Sequence, residues 1–134
     1  MRGRVLADGT AEGRALALDE PLSFWGGVDP ATGEIVDARH PQRGRSVAGR
    51  VLVMAAARGS SSSSSVLAEA VRSGHAPAAI LLGEPDLILS VGAAVAGELY
   101  ERRVPILQLE QADLAAIPDG AQVSIGEGGE VVFR

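Results

Sequence analysis

Residues 51–82 read VLVMAAARGSSSSSSVLAEAVRSGHAPAAILL, and this stretch decides the fold. Its first residues form a continuous apolar run, which is typical of a strand that is covered on both faces. After the serines, VLAEAV places its apolar residues at helical spacing, and Gly74 is suited to end that helix. AAILL then predicts a second buried strand. Strand, helix and strand make a βαβ unit, so the two strands are predicted to be parallel, with a right-handed crossover.

The six serines at positions 60–65 raise the question of whether they form a linker or a site. A run of serine often makes a flexible tether, because short polar side chains bury little surface. A tether joins parts that can each fold, however, and these serines lie between the strand and the helix of one βαβ unit. We therefore interpret them as a strand-to-helix loop.

The rest of the chain predicts strands on either side of this unit. GRVLADGTAEGRALALD (residues 3–19) is expected to form two strands around the Asp8-Gly9 turn, and GEIVD another strand. VPILQLE predicts a third strand after a second helix within residues 85–103, and the last residues predict a hairpin around positions 126–129. The predicted fold class is α/β, with β-hairpins flanking a βαβ core, and the organisation is one domain covering residues 1–134.

Composition excludes several classes of function. The net charge is −5 and the twelve basic residues, all arginine, form no basic run, so we expect no nucleic-acid partner. Without cysteine the chain cannot build a disulfide or a thiolate-held cluster, and His40 and His75 lack metal-ligand spacing, so no metal site is predicted. No apolar run reaches the roughly 20 residues that cross a bilayer. We expect a cytoplasmic protein with no membrane association.

The serine loop has the position and the groups needed for chemistry. A loop that leaves a parallel strand lies at the carboxyl end of the sheet, where ligands of α/β folds bind. Its N–H groups and the start of the following helix favour an anion, and one of the serines at positions 62–64 is expected to cap that helix. No Gly-x-Ser-x-Gly motif supports a serine hydrolase. Another role is open to a serine of this loop: it could act as a base, with its alkoxide stabilised by N–H groups and a nearby cation.

A second motif, SFWGGVDP at residues 23–30, combines glycines with two aromatic side chains. Ser23, Phe24 and Trp25 are predicted to line the mouth of an active site, although a turn packed on the core or on a subunit interface would also explain them. Asp29 fits a turn before Pro30. The two histidines are interpreted as loop residues without chemistry.

Together, SFWGGVDP and RGSSSSSSVL resemble the small subunit, or swivel domain, of aconitase X enzymes, and the resemblance covers residues 13–109. It implies a swivelling β/β/α domain that closes over a large subunit bearing an iron–sulfur cluster. The family dehydrates cis-3-hydroxy-L-proline or mevalonate 5-phosphate. SFWGG and the unbroken serine run favour the hydroxyproline enzymes, so the expected substrate is a small hydroxy acid.

The resemblance also implies roles for single residues. Ser60, which follows Gly59, would be the base that removes the proton α to the substrate carboxylate, while the partner's cluster acts as a Lewis acid on the departing hydroxyl. From their place in the loop, Gly59 and Ser61 are also expected to contact substrate. Arg58 is expected to steady the Ser60 alkoxide or bind a substrate carboxylate, although a solvated surface arginine would also explain it. Related aconitase loops read Gly-Ser-Ser-Arg, and here Ser62 stands in place of that arginine, so carboxylate binding falls to the partner or to backbone N–H groups. No cofactor is expected on this chain itself.

Three other interpretations stay open at this stage. The domain could be a non-enzymatic interaction module, a phosphomevalonate dehydratase subunit or a stand-alone serine hydrolase. An isolated small subunit whose apolar docking face lacks its partner could also form a homo-oligomer.

Overall fold

A computed structural model describes residues 1–134. Seven strands form one curled sheet: β1 (Arg4–Ala7), β2 (Ala11–Ala17), β3 (Val51–Met54), β4 (Ala79–Leu82), β5 (Ile106–Gln108), β6 (Gln122–Ile125) and β7 (Val131–Phe133). Their order is β1-β5-β4-β3-β2-β6-β7. Strands β2, β3, β4 and β5 are mutually parallel, whereas β1, β6 and β7 pair antiparallel to their neighbours.

Four helical segments accompany the sheet: α1 (Phe24–Gly27), α2 (Ser63–Ser73), α3 (Leu87–Tyr100) and α4 (Gln111–Ala115). The first is a single turn in which Trp25 and Gly26 leave helical geometry, because Gly26 adopts a φ of 76°. Helix α2 ends at Gly74, whose φ of 84° is left-handed, as the sequence predicts. No helix has both the length and the apolar character that crossing a bilayer demands.

The βαβ prediction is confirmed. Residues of β3 pair in parallel register with β4, from Val51 opposite Ala79 to Met54 opposite Leu82, and α2 connects the two strands. All eight residues of these strands are buried, which explains their continuous apolar sequence. The hairpin of β6 and β7 at the end of the chain is also confirmed.

The N-terminal hairpin is not formed. Strands β1 and β2 exist on either side of the Asp8-Gly9 turn, but β1 pairs with β5 at the far side of the sheet. Strand β2 has no free edge for β1, because β3 occupies one edge and β6 the other. GEIVD forms only isolated bridges, from Ile35 to Val28 and from Glu34 to Ser46.

The two ends of the sheet meet. The N–H of Gly3 donates to the carbonyl of Gly129 at 2.8 Å, and the N–H of Val131 donates to the carbonyl of Met1 at 2.8 Å. This near closure leaves two hydrophobic cores, one on each face of the sheet, of 17 and 13 buried residues. Helices α2 and α3 pack together over the larger core. The carboxyl end of β3 thus opens at the rim of the curled sheet.

The outer face of α3 is apolar and uncovered. Leu87, Val91, Val95 and Leu99 recur every fourth residue and are all exposed, Leu87 by 78%. Residues at this spacing form one stripe along a helix. We call these four residues the α3 stripe.

Candidate functional site

The serine run folds as the loop and first turn that connect β3 to α2. The N–H of Ser63 donates to the carbonyl of Ser60 at 2.9 Å, which closes a turn over residues 60–63. Ser62 stands at the N-cap of α2, as expected, but its side chain makes no capping hydrogen bond. The hydroxyls of Ser61, Ser62 and Ser65 make no hydrogen bond within the chain, whereas those of Ser60, Ser63 and Ser64 each make one.

Ser60 is the first residue of this turn. It is half-buried, and its Oγ lies 3.4 Å from the N–H of Ser62, which donates to it. The N–H groups of Gly59, Ser60 and Ser61 make no hydrogen bond within the chain. No atom lies within 4 Å of the place where a Cβ on Gly59 would stand. The loop thus presents a hydroxyl beside unpaired N–H donors, an arrangement that can hold an anion or an alkoxide.

The second motif lies against this loop. The backbone N–H of Trp25 donates to the Oγ of Ser63 at 3.1 Å, and Ser63 is 2% exposed. On the other side of the loop, the N–H of Arg58 donates to the carbonyl of Leu22 at 3.1 Å, next to a parallel bridge between Leu22 and Ala57. The structure therefore brings SFWGG and RGSSSSSS, about thirty-five residues apart in sequence, into direct contact.

The predicted mouth residues occupy different environments. The side chain of Trp25 is 59% exposed beside the loop, and the hydroxyl of Ser23 donates to the Trp25 carbonyl at 3.0 Å. Phe24, in contrast, is 1% exposed and belongs to the larger hydrophobic core. Its side chain packs in that core, whereas the side chain of Trp25 lies at the surface.

Arg58 is exposed, and its guanidinium lies 3.8 Å from the carboxylate of Glu20 rather than against Ser60. Ser61 is exposed at the tip of the turn, and its carbonyl accepts a hydrogen bond from the hydroxyl of Ser64 at 3.0 Å. Asp29 forms the predicted turn, since its carboxylate accepts from the N–H of Ala31 at 2.9 Å.

Sequence reasoning missed the structural part played by Ser63, which it treated only as a candidate cap. The buried hydroxyl instead accepts the Trp25 N–H and joins the two motifs. Nothing in a run of identical residues marks one of them as buried, so only the tertiary structure could find it.

One ion pair, on α2, shifts the pKa values of its two side chains. On α2, both guanidinium contacts from Arg72 to the Glu69 carboxylate are 2.6 Å long. These hydrogen bonds hold the pKa of Glu69 below its ordinary value and raise the pKa of Arg72. Both groups are at the surface, so the pair belongs to the helix rather than to the serine loop.

The chain offers no set of ligands for an iron–sulfur cluster. It contains no cysteine, and no three His, Asp or Glu side chains come together in a way that could hold a metal ion. Five grooves of the domain are lined by residues outside positions 58–65. The serine loop is therefore an open surface that carries the Ser60 hydroxyl and unpaired N–H donors.

These features define a class: a curled α/β domain that presents a hydroxyl and free N–H donors on a strand-to-helix loop. The family model of the aconitase X swivel domain matches residues 1–133. The chain belongs to this family.

Its relatives fall into two groups. It is 50% identical over 117 residues to cis-3-hydroxy-L-proline dehydratase of Pseudomonas aeruginosa, a match of 86% of this chain but 20% of that protein. It is 39% identical to the phosphomevalonate dehydratase small subunit of Thermococcus gammatolerans, covering 98% of this chain and 95% of that one. The chain thus spans about a fifth of the hydroxyproline enzyme and nearly all of the small subunit.

Two solved structures share the fold. The crystal structure of Thermococcus kodakaraensis aconitase X in its holo-form superposes with a TM-score of 0.86 at 34% identity, over 99% of this chain and 96% of that chain. The solution NMR structure of a UPF0107 protein gives 0.87 at 33% identity, over 100% and 98%. The predicted family and the swivel-type α/β fold class are confirmed.

Proposed function

We propose that residues 1–134 form one swivel domain, the small-subunit part of an aconitase X-type dehydratase that removes water from cis-3-hydroxy-L-proline. The observation that carries this proposal is the contact of the serine loop with the SFWGG turn, which places Ser60 Oγ beside unpaired N–H donors. The 50% identity to the Pseudomonas aeruginosa hydroxyproline dehydratase supports the choice of substrate.

In this proposal Ser60 is the base. A serine alkoxide takes the proton α to the substrate carboxylate, the C–H electron pair forms the double bond, and the hydroxyl on the neighbouring carbon leaves with its electron pair. The alkoxide needs stabilisation, which the Ser62 N–H supplies at 3.4 Å and the start of α2 increases. The free N–H groups of Gly59 and Ser61 are placed to bind the substrate carboxylate.

The neighbouring side chains complete this half of the site. Trp25 supplies an exposed apolar wall, and Ser23 holds the Trp25 backbone in its turn. Arg58 needs only to exchange its long contact with Glu20 for the substrate carboxylate. An exposed ion pair contributes at most about 1 kcal/mol, so such an exchange costs little.

A large subunit supplies the other half. The relatives named small subunits imply such a partner. The open serine loop has no opposite wall in this chain, and any thiolate ligands of an iron–sulfur cluster have to come from elsewhere because the chain lacks cysteine. We assign that cluster to the partner. The α3 stripe is apolar surface that remains uncovered in the isolated domain and supports the presence of a partner chain.

Mevalonate 5-phosphate is the second candidate substrate. One observation favours it: the chain matches the phosphomevalonate dehydratase small subunits over nearly their whole length. The loop itself distinguishes the two poorly, since Arg58 is the one basic side chain in residues 58–65 and an arginine can bind either a carboxylate or a phosphate bidentately.

The test is reconstitution of the domain with its large subunit, followed by assay of both dehydrations by mass spectrometry. We expect turnover of cis-3-hydroxy-L-proline, and a loss of at least about a hundredfold in kcat for Ser60→Ala. Ser65→Ala is the matched control, because Ser65 is exposed and its hydroxyl makes no hydrogen bond within the chain. It should keep kcat within about twofold.

Each part of the proposal can fail separately. Normal turnover in Ser60→Ala would refute the base, and turnover of mevalonate 5-phosphate alone would reassign the substrate. A loaded complex that dehydrates neither compound would favour a non-enzymatic module. Reaction of the isolated chain with serine-directed acylating probes would instead favour a hydrolase.

A further inference from the structure

His40 is the most buried titratable side chain of the domain, with 6% of its surface exposed. Both of its ring nitrogens are engaged. The N–H of Gln42 donates to Nδ1 at 3.1 Å, and Nε2 lies 3.0 Å from the carbonyl oxygen of Glu20. Since a carbonyl only accepts and a backbone N–H only donates, these two contacts assign the ring proton to Nε2. His40 therefore ties its own loop to the segment that contains Glu20.

That segment, residues 19–25, is here called the strap. It is tied to the His40 loop a second time, since the side-chain amide of Gln42 donates to the carboxylate of Asp19 at 2.7 Å and accepts from the Asp19 N–H at 3.3 Å. The first residues of the strap are thus hydrogen-bonded to the His40 loop, and the strap then runs towards the serine loop.

The strap contacts the serine loop on both sides of Ser60. Before Ser60, its Leu22 carbonyl accepts the Arg58 N–H at 3.1 Å. After Ser60, its Trp25 N–H donates to Ser63 Oγ at 3.1 Å. A shift of the strap thus moves both ends of the turn that carries Ser60, although the His40 ring makes no hydrogen bond to that turn.

We propose that His40 is a positioning residue for Ser60, and that it acts through the hydrogen bond from its Nε2–H to the Glu20 carbonyl. This inference rests on the proposed function for its catalytic consequence. The anchoring of the strap is independent of that function. Because misplacement of a reacting group by about 1 Å can cost a hundredfold in rate, a single backbone anchor behind the site is enough to matter.

Two substitutions remove the hydrogen bonds of the two ring nitrogens one at a time. The amide nitrogen of a glutamine side chain can reach the position of Nε2, so His40→Gln keeps the bond to Glu20. The amide oxygen of an asparagine side chain reaches the position of Nδ1, so His40→Asn keeps the bond from Gln42 and loses the anchor. Each variant loses one hydrogen bond of similar length, and we expect similar melting temperatures for both.

In the reconstituted enzyme, His40→Gln should keep kcat within about threefold, whereas His40→Asn should lower it by at least about tenfold with little change in KM. The matched control is His75→Asn. His75 lies beyond the far end of α2, and its Nδ1 contacts only the Ser73 hydroxyl, at 3.3 Å. This control should keep the kcat of the unsubstituted enzyme.

Fluorescence gives a readout that does not depend on catalysis. Trp25 is the single tryptophan of the chain and lies at the end of the strap. Its emission should change in His40→Asn and stay unchanged in His40→Gln and His75→Asn. The inference would be overturned if the Gln and Asn variants lost kcat equally and only as much as their melting temperatures fell. It would also be overturned if both variants kept full activity. If the unsubstituted complex dehydrates nothing, the proposed function fails, and Trp25 emission alone decides whether His40 anchors the strap.

Discussion

Gly92 allows the two main helices of the domain to approach closely at the serine loop. A Cβ at Gly92 would lie 2.7 Å from the carbonyl oxygen of Ser64 and 3.0 Å from its Cα, both backbone atoms that cannot rotate away. Replacing glycine by alanine inside a helix stabilises it by about 1 kcal/mol, whereas overpacking a tight contact costs about 1–3 kcal/mol. We expect Gly92→Ala to lower the free energy of unfolding by up to roughly 2 kcal/mol.

Gly97 on the same helix is the control. Its Cβ would meet nothing closer than Arg103 Cγ at 3.8 Å, an ordinary contact, so Gly97→Ala should raise stability by about 1 kcal/mol. The two variants should differ by roughly 1–3 kcal/mol, or about 3–15 °C in melting temperature for a domain of this size. Urea denaturation followed by circular dichroism measures the difference in free energy.

The same two variants test whether the packing of α3 against α2 affects the serine loop. In the reconstituted enzyme, Gly92→Ala should also lower kcat, because it displaces the backbone of Ser64 at the end of the Ser60 turn. Equal stabilisation by Gly92→Ala and Gly97→Ala would refute the close approach of α2 and α3 at this point.

Two further substitutions test the contacts of α2. Ser63→Ala removes the buried acceptor of the Trp25 N–H and should lower the free energy of unfolding by about 1–3 kcal/mol in urea, whereas the exposed Ser65→Ala should change it by less than about 0.5 kcal/mol. Because Arg72 lowers the pKa of Glu69, the ionised carboxylate favours the folded chain. Its contribution is present above the ordinary pKa of Glu69 and is lost as pH falls through the lowered value. The unsubstituted protein should therefore melt slightly higher than Glu69→Gln at neutral pH, and this margin should vanish in acid. A margin that is constant with pH would contradict the pairing.

Local pattern was sufficient wherever an element's sequence neighbours are also its partners. The apolar runs of β3 and β4, the helical spacing between them and Gly74 together predicted the βαβ unit, and the C-terminal glycines predicted the hairpin of β6 and β7. The local pattern did not predict the pairing partner of β1, because a turn signal does not indicate which strand edge remains free. The short α4 was missed as well, since five residues carry too little periodicity to detect.

By itself, the sequence determined that this chain is an α/β domain with a serine loop at the carboxyl end of a buried parallel strand. It also determined the resemblance that the comparisons confirmed. Only the tertiary structure decided that the Trp25 turn closes against Ser63, that Phe24 lies in the core, and that the His40 ring contacts the carbonyl of Glu20. The physical reason is that hydrophobic periodicity records which face of an element is buried. The polar contacts that position a site join residues distant in sequence, and these contacts form only once the packed core has brought their backbones together.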